Sequence, residues 1–137
     1  MVGDALPGDV RRFLEDAQRF AVVATINENG TPQQTVVWYA LRGDEIMMNT
    51  ARGRVKDRNL RRDPRLSIAI EDGYRFVSIH GEARLVDDQA IAQPDIRDLA
   101  IRYDGLETAE RQVREQFSQE ERVSIYVPLE RVATYGF

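Results

Sequence analysis

The sequence predicts a mainly β fold, about six antiparallel strands closed into a barrel with helices at its periphery. Runs rich in β-branched and aromatic residues recur at 20–27, 33–41, 45–50, 66–72, 74–86 and 122–137. Segments of helical period fall at the start, between the third and fourth runs, and late in the chain. Such grouping suits an antiparallel barrel; a parallel sheet would need a helix after each strand. At 137 residues the chain suits one domain, 1–137, large enough to bury a core without staples.

Leu6, Val10, Phe13, Leu14 and Ala17 recur at three- and four-residue spacings, which predicts an opening helix beginning near 7–9. "FAVVATIN" then reads as a strand, and Asn29-Gly30 tolerates the backbone angles of a hairpin turn into "QQTVVWYAL". "RGDE" turns the chain again into "EIMMNT", completing a meander. A short helix is predicted from Arg54 to Arg62, led in by Asn49 or Thr50 and ended at Asp63-Pro64, because a residue before proline avoids the helical region. "LSIAIED" and "YRFVSIHGEARLV" read as two strands. Helices are expected at 95–104 and 106–120, parted by Gly105, and "RVSIYVPLERVATYGF" closes the chain as one or two strands with Pro128 at an edge or break.

Composition removes several kinds of chemistry. There is no cysteine, hence no disulfide framework, thiol catalysis or thiolate metal site, and His80 is the only histidine, which excludes a multi-histidine metal site. A cytoplasmic protein is expected, since the start carries no basic segment followed by an apolar run and no stretch of eighteen apolar residues occurs.

The charge is unevenly placed. The net charge is −4, yet Arg52, Arg54, Lys56, Arg58, Arg61, Arg62 and Arg65 crowd one segment with only Asp57 and Asp63 to balance them, and Lys56 is the chain's one lysine. A helix N-terminus presents unpaired amides and partial positive charge. Arg54 and Lys56 on its first turn, with Asn49 and Thr50 leading in from a strand, make a cradle for phosphate; Asn59 orients either the ligand or the turn. Against this stands a solvated, ion-paired helix face, the ordinary fate of surface charge. Nucleic acid is disfavoured by the overall acidity and the lack of a groove-reading element, and a membrane surface by Val55 and Leu60 being the only apolar anchors.

The order of these motifs, above all "RVKDRNLRRDPRLSI" followed by "VSIHGEARL", resembles the split β-barrel flavin and deazaflavin proteins, the superfamily containing pyridoxamine 5′-phosphate oxidase. It is most similar to the actinobacterial branch that uses the deazaflavin coenzyme F420. The resemblance spans about Phe20 to Val132 and implies that Arg54 and Lys56 hold the cofactor phosphate, with Thr50 and Asn59 nearby. It further implies that the ring lies along "PQQTVVWY" against Gln34, Thr35 and the Val36–Val37 backbone. The same resemblance implies a homodimer with the site at the subunit interface, covered by partner aromatics; Tyr74 stands where relatives often carry Trp. The activity it implies is hydride transfer from reduced F420 to a quinone-like, enone or tetrapyrrole acceptor. The alternatives are an FMN enzyme of the oxidase kind and a non-catalytic F420 carrier.

No catalytic residue emerges from the sequence. Alternation puts Phe76, Ser78, His80, Glu82 and Arg84 on one strand face, so His80 reads as a polar-face residue. The acids of "ETAERQVREQFSQEER" read as a solvated helix face. Trp38 reads as core or interface before substrate wall, and Tyr103, Tyr126 and Tyr135 are unranked as proton donors.

Overall fold

The computed structural model describes residues 6–16 and 18–137; the Ala17 expectation lies outside them. The elements are α1 (Gly8–Glu15), β1 (Ala21–Ile26), β2 (Pro32–Val37), β3 (Ala40–Arg42), β4 (Glu45–Ala51), α2 (Val55–Arg62), β5 (Arg65–Glu71), β6 (Phe76–Glu82), β7 (Arg84–Val86), α3 (Gln89–Asp104), α4 (Leu106–Glu115), β8 (Arg122–Pro128) and β9 (Arg131–Tyr135). One sheet runs β2-β1-β5-β6-β9, the other β3-β4-β8-β7, and every pairing is antiparallel.

The predicted class is therefore the observed one, a split barrel with helices outside it. The described residues form nine strands, where about six were expected. Two long runs cross from one sheet to the other, at Trp38–Tyr39 and at Ala83, and the closing run divides at Leu129–Glu130. Backbone bonds hold two of the crossings: Ala83 N–H donates to the Pro64 carbonyl at 2.8 Å and Leu129 N–H to the Asp44 carbonyl at 2.9 Å.

Burial follows from the layering. Val23, Ile68, Ile70, Val77 and Ile79 of the five-stranded sheet meet Ile46, Met48, Ile125 and Val127 of the other, and α1 closes the core with Val10, Phe13 and Leu14. Each such side chain contributes roughly 1.5–3 kcal/mol when fully buried. Met47 points the opposite way, into a second cluster with Ile96, Leu99, Ala100, Ala109 and Phe117 under α3 and α4. The four-stranded sheet is thus covered on both faces, which is why "IMMNT" is buried without alternation.

The third helix begins at Gln89 and not at Asp95. Asp88 caps it by accepting from Ala90 N–H at 2.9 Å, and Pro94 is tolerated because the carbonyl it fails to reach, four residues back on Ala90, belongs to an exposed residue. The fourth helix stops at Glu115, followed by a 3₁₀ turn at Phe117–Gln119. The turn from β4 into α2 needs Gly53, whose φ is +88°. A Cβ there would meet nothing within 4 Å, so Gly53→Ala should cost only the backbone strain, about 1–2 kcal/mol. Urea unfolding measures it.

Candidate functional site

The first turn of α2 lies beside β2 and β4, and together they form a cleft of about 550 Å³. It is lined by Thr35, Val36 and Val37 from β2, Asn49 and Thr50 from β4, and Arg54 and Lys56 at the helix start. Seven of the ten residues singled out in sequence thus share one cavity. The other three are elsewhere. Gln34 alternates onto the outer sheet face, and its neighbour Gln33 lines the cleft instead. Asn59 is buried in structural bonds: its amide nitrogen donates to Thr25 Oγ1 and Asn27 Oδ1, both at 3.0 Å, and its oxygen accepts from Arg62 at 2.8 Å. It orients the helix against β1. Tyr74, 88% exposed, sits on the β5–β6 hairpin away from the cleft.

Lys56 is the unusual group. It is 9% exposed, and among the described residues its ammonium has no hydrogen-bond or ion-pair partner. Burial holds its pKa below the usual lysine value, and the neighbouring charges of Arg54 and Arg122 push it down further. The helix start adds donors. Arg54 at the N-cap gives no side-chain cap, which leaves the amides of Val55, Lys56 and Asp57 without partners among the described residues. Thr35 Oγ1, also lining the cleft, has no hydrogen-bond partner either. A buried cation, open helix amides and an orphan hydroxyl fit an oxyanion, and phosphate in particular.

Other basic side chains do structural work. Arg61 bonds Asp57 and Asp87, Arg52 pairs with Asp87 and Glu121, and Arg65 pairs with Asp63. Arg58 and Arg62 donate to the Gly53 and Ile26 carbonyls. Arg54 reaches Glu120 at 3.4 Å and remains half exposed, free to turn toward a ligand.

Sequence reasoning passed over Asp57 and Arg122. Asp57 accepts from Gly53 N–H at 2.8 Å and from Arg61 at 2.9 Å, locking the turn that aims α2. An acid in a helix's first turn was the available signal. Arg122, on β8, lines an adjoining chamber and donates to Asn49 Oδ1 at 2.9 Å; nothing in its local sequence marks it. Asn49 also donates to the Ala92 carbonyl and Ser124, so it serves as a brace.

The remaining candidates stand away from the cleft. The Tyr103 hydroxyl donates to the Arg19 carbonyl and Tyr126 to Asp95, while Tyr135 stacks on Phe76 at the sheet edge. His80 is exposed on β6. No group of three or more acids or histidines suited to a metal occurs among the described residues, and no helix there is long and apolar enough to cross a membrane.

Solved structures share this architecture. A conserved hypothetical protein of Mycobacterium tuberculosis, Rv2991, is 28% identical, with a TM-score of 0.80 over 96% of this chain and 85% of that one. An F420 reductase is similar at 23% identity and a TM-score of 0.70, over 89% and 94% of the two chains. The heme storage protein HutZ of Vibrio cholerae matches at 16% identity and 0.72, over 98% and 97%. At the latter two identities the likeness is one of fold. The family described as Pyridoxamine 5′-phosphate oxidase matches residues 6–133, from α1 through the cradle helix to β9, and to that family the chain belongs.

Proposed function

We propose that the protein binds coenzyme F420 and transfers a hydride from its reduced form to a conjugated organic acceptor. The observation that carries this reading is Lys56, a nearly buried cation whose charged neighbours include two further cations, beside open helix amides. Such a site is stable in company with an anion. The family binds flavin-type cofactors, and these carry phosphate on the chain attached to the ring. The likeness to an F420 reductase supports the deazaflavin over FMN.

In this reading Lys56, Arg54 and the α2 amides hold the phosphate, and the Thr35–Val37 stretch of β2 supports the ring. When bound, reduced F420 supplies a hydride as a nicotinamide does. The chain's own residues bind, orient and keep water out. A second copy of the chain completes the site. Val36, 66% exposed at the cleft, borders an outer sheet face of small residues, Val22, Ala24, Ser67, Ala69, Ser78 and Ala133, over which another subunit packs closely. Gln34 lies on that face, and the exposed Tyr74 on the β5–β6 hairpin would be available to the partner.

Titration of the purified protein with F420 and with FMN, followed by mixing reduced F420 complex with quinone, enone and tetrapyrrole acceptors, tests the reading. Saturable F420 binding and faster F420 oxidation with an acceptor are expected, from a protein that sediments as a dimer. The family description itself favours the second reading, an FMN enzyme, and binding of FMN alone would establish it. Binding of F420 without turnover on any acceptor would make the protein a carrier.

A further inference from the structure

We propose that the chamber between the end of β2 and helices α3 and α4 is the acceptor subsite, shaped for a small planar ring bearing a carbonyl or oxyanion. This rests on the hydride-transfer reading above. The chamber holds about 300 Å³ and shares Val36, Asn49 and Arg54 with the phosphate cleft, so the two spaces are contiguous. That volume is at the lower bound of ordinary small-molecule pockets, about 300–1,000 Å³. It suits one or two fused rings and is too small for a tetrapyrrole.

The wall is half apolar, from Val36, Trp38, Ile96, Leu99 and Phe117, and half polar. The Trp38 indole stacks on Tyr103 at 5.4 Å and 9°, which holds its plane, and Ile96, Leu99 and Phe117 face the same space from the helix side. Of the five polar side chains lining it, Arg122 and Gln112 hold an unused hydrogen-bonding atom that gives the ring a direction. Arg122 is 3% exposed; its Nε bonds Asn49 Oδ1 at 2.9 Å, Nη1 bonds Glu120 at 2.8 Å, and the guanidinium lies 5.0 Å over Phe117. Its Nη2 makes no hydrogen bond among the described residues. A guanidinium so fixed offers one open N–H edge to a ligand oxygen. Gln112 supplies the complementary group. Its Nε2 donates to Asp104 at 2.9 Å, which fixes Oε1 as the carbonyl, and that oxygen is buried without a partner. It calls for a hydroxyl or N–H donor.

A quinone or ring ketone that also bears an amino group or an un-ionised hydroxyl satisfies both. A reduced deazaflavin bound in the neighbouring cleft would supply the hydride to a ring carbon, and the carbonyl oxygen, receiving the displaced π pair, would then take its proton from water. Arg122 places a fixed positive charge where the oxygen becomes negative.

Trp38 is the only tryptophan, so its fluorescence reports occupancy without any cofactor. Titrating the cofactor-free protein with 2-hydroxy-1,4-naphthoquinone, an anion at neutral pH, should quench Trp38 saturably and more tightly than neutral 1,4-naphthoquinone does. Arg122→Gln should weaken the anionic probe about tenfold or more, Gln112→Leu should weaken 2-amino-1,4-naphthoquinone, which keeps an N–H donor, several-fold, and Arg84→Ala, outside both spaces, leaves both probes in place. Absent saturation, or equal affinity for both quinones in the wild type, would overturn the chamber, as would unchanged affinity in Gln112→Leu and a folded Arg122→Gln. The anionic–neutral comparison and Gln112→Leu decide the matter if Arg122→Gln does not fold. Saturable quenching in a protein that refuses F420 would remove the hydride reading and leave the chamber standing as a ligand site; tight F420 binding with no quenching would remove the chamber alone.

Discussion

Lys56→Ala lowers the affinity for the phosphate-bearing cofactor about tenfold to a hundredfold, the equivalent of a charge-assisted contact worth roughly 1.5–3 kcal/mol, while Arg84→Ala leaves it unchanged. The contrast follows from surroundings, since both are single cations. Arg84, on β7, pairs with Glu45 at 3.0 Å and lies over the Tyr126 ring, outside the cleft. Among the described residues Lys56 has no counterion, so its charge is available to a ligand. The alanine variant should also be at least as stable as the wild type when no cofactor is present, because it removes a desolvated charge. Isothermal titration and urea unfolding, performed on both variants, read the two effects. Equal cofactor affinity in Lys56→Ala and Arg84→Ala would sink the assigned cradle.

The same burial predicts a pH dependence. The folded-state pKa of Lys56 is depressed relative to the unfolded chain, so the cofactor-free fold sheds this proton first, and in the window between the two values its stability rises with pH. A bound anion favours the ammonium and reverses the shift. Binding therefore takes up a proton in that window, and affinity falls as pH climbs through the lowered pKa, earlier than an exposed lysine would produce. Lys56→Arg keeps its charge throughout and should abolish that decline.

The basic segment shows how much of this was legible in the sequence. Clustering of seven cations around a predicted helix start pointed to the cleft at α2, because helix polarity and charge are local properties. Which cations serve the ligand was not local. Arg61 is taken by Asp87, twenty-six positions on, whereas Arg54 meets Glu120, sixty-six positions on, at 3.4 Å and stays half exposed, able to turn to a ligand. Only the closed barrel sets Lys56 apart by giving it no such partner. Gln33 and Gln34 make the same point on a smaller scale: alternation says that only one of them shares a face with Thr35, and the resemblance chose Gln34 where the cleft contains Gln33. The sheet crossings at Trp38–Tyr39 and Ala83 were equally hidden, since a strand that changes sheets keeps a strand's composition across the bend. The adjoining chamber needed four distant segments, β2, α3, α4 and β8, to become visible at all.

Asp95→Ala should cost about 3 kcal/mol of stability by urea unfolding. Asp95 lies on α3, 4% exposed, and binds three groups of the four-stranded sheet. One carboxylate oxygen accepts from Ser124 Oγ at 2.6 Å and from the Tyr126 hydroxyl, and the other from Arg42 at 3.1 Å. Truncation leaves Ser124 wholly buried without that acceptor, and deprives a tyrosine whose pKa burial, followed by the Asp95 bond itself, has pushed up to about 12. Arg42 retains Asp98 at 2.8 Å, which keeps the cost at the low end of what breaking a buried pair entails. Asp95→Asn, which preserves shape and one acceptor, should cost less, about 1–2 kcal/mol. Because Ile96 and Leu99 on the same helix wall the chamber, Asp95→Ala should also loosen quinone binding at Trp38 under conditions where the protein remains folded. A loss below about 0.5 kcal/mol would mean that apolar packing under α3, not this carboxylate, fixes the helix to the barrel.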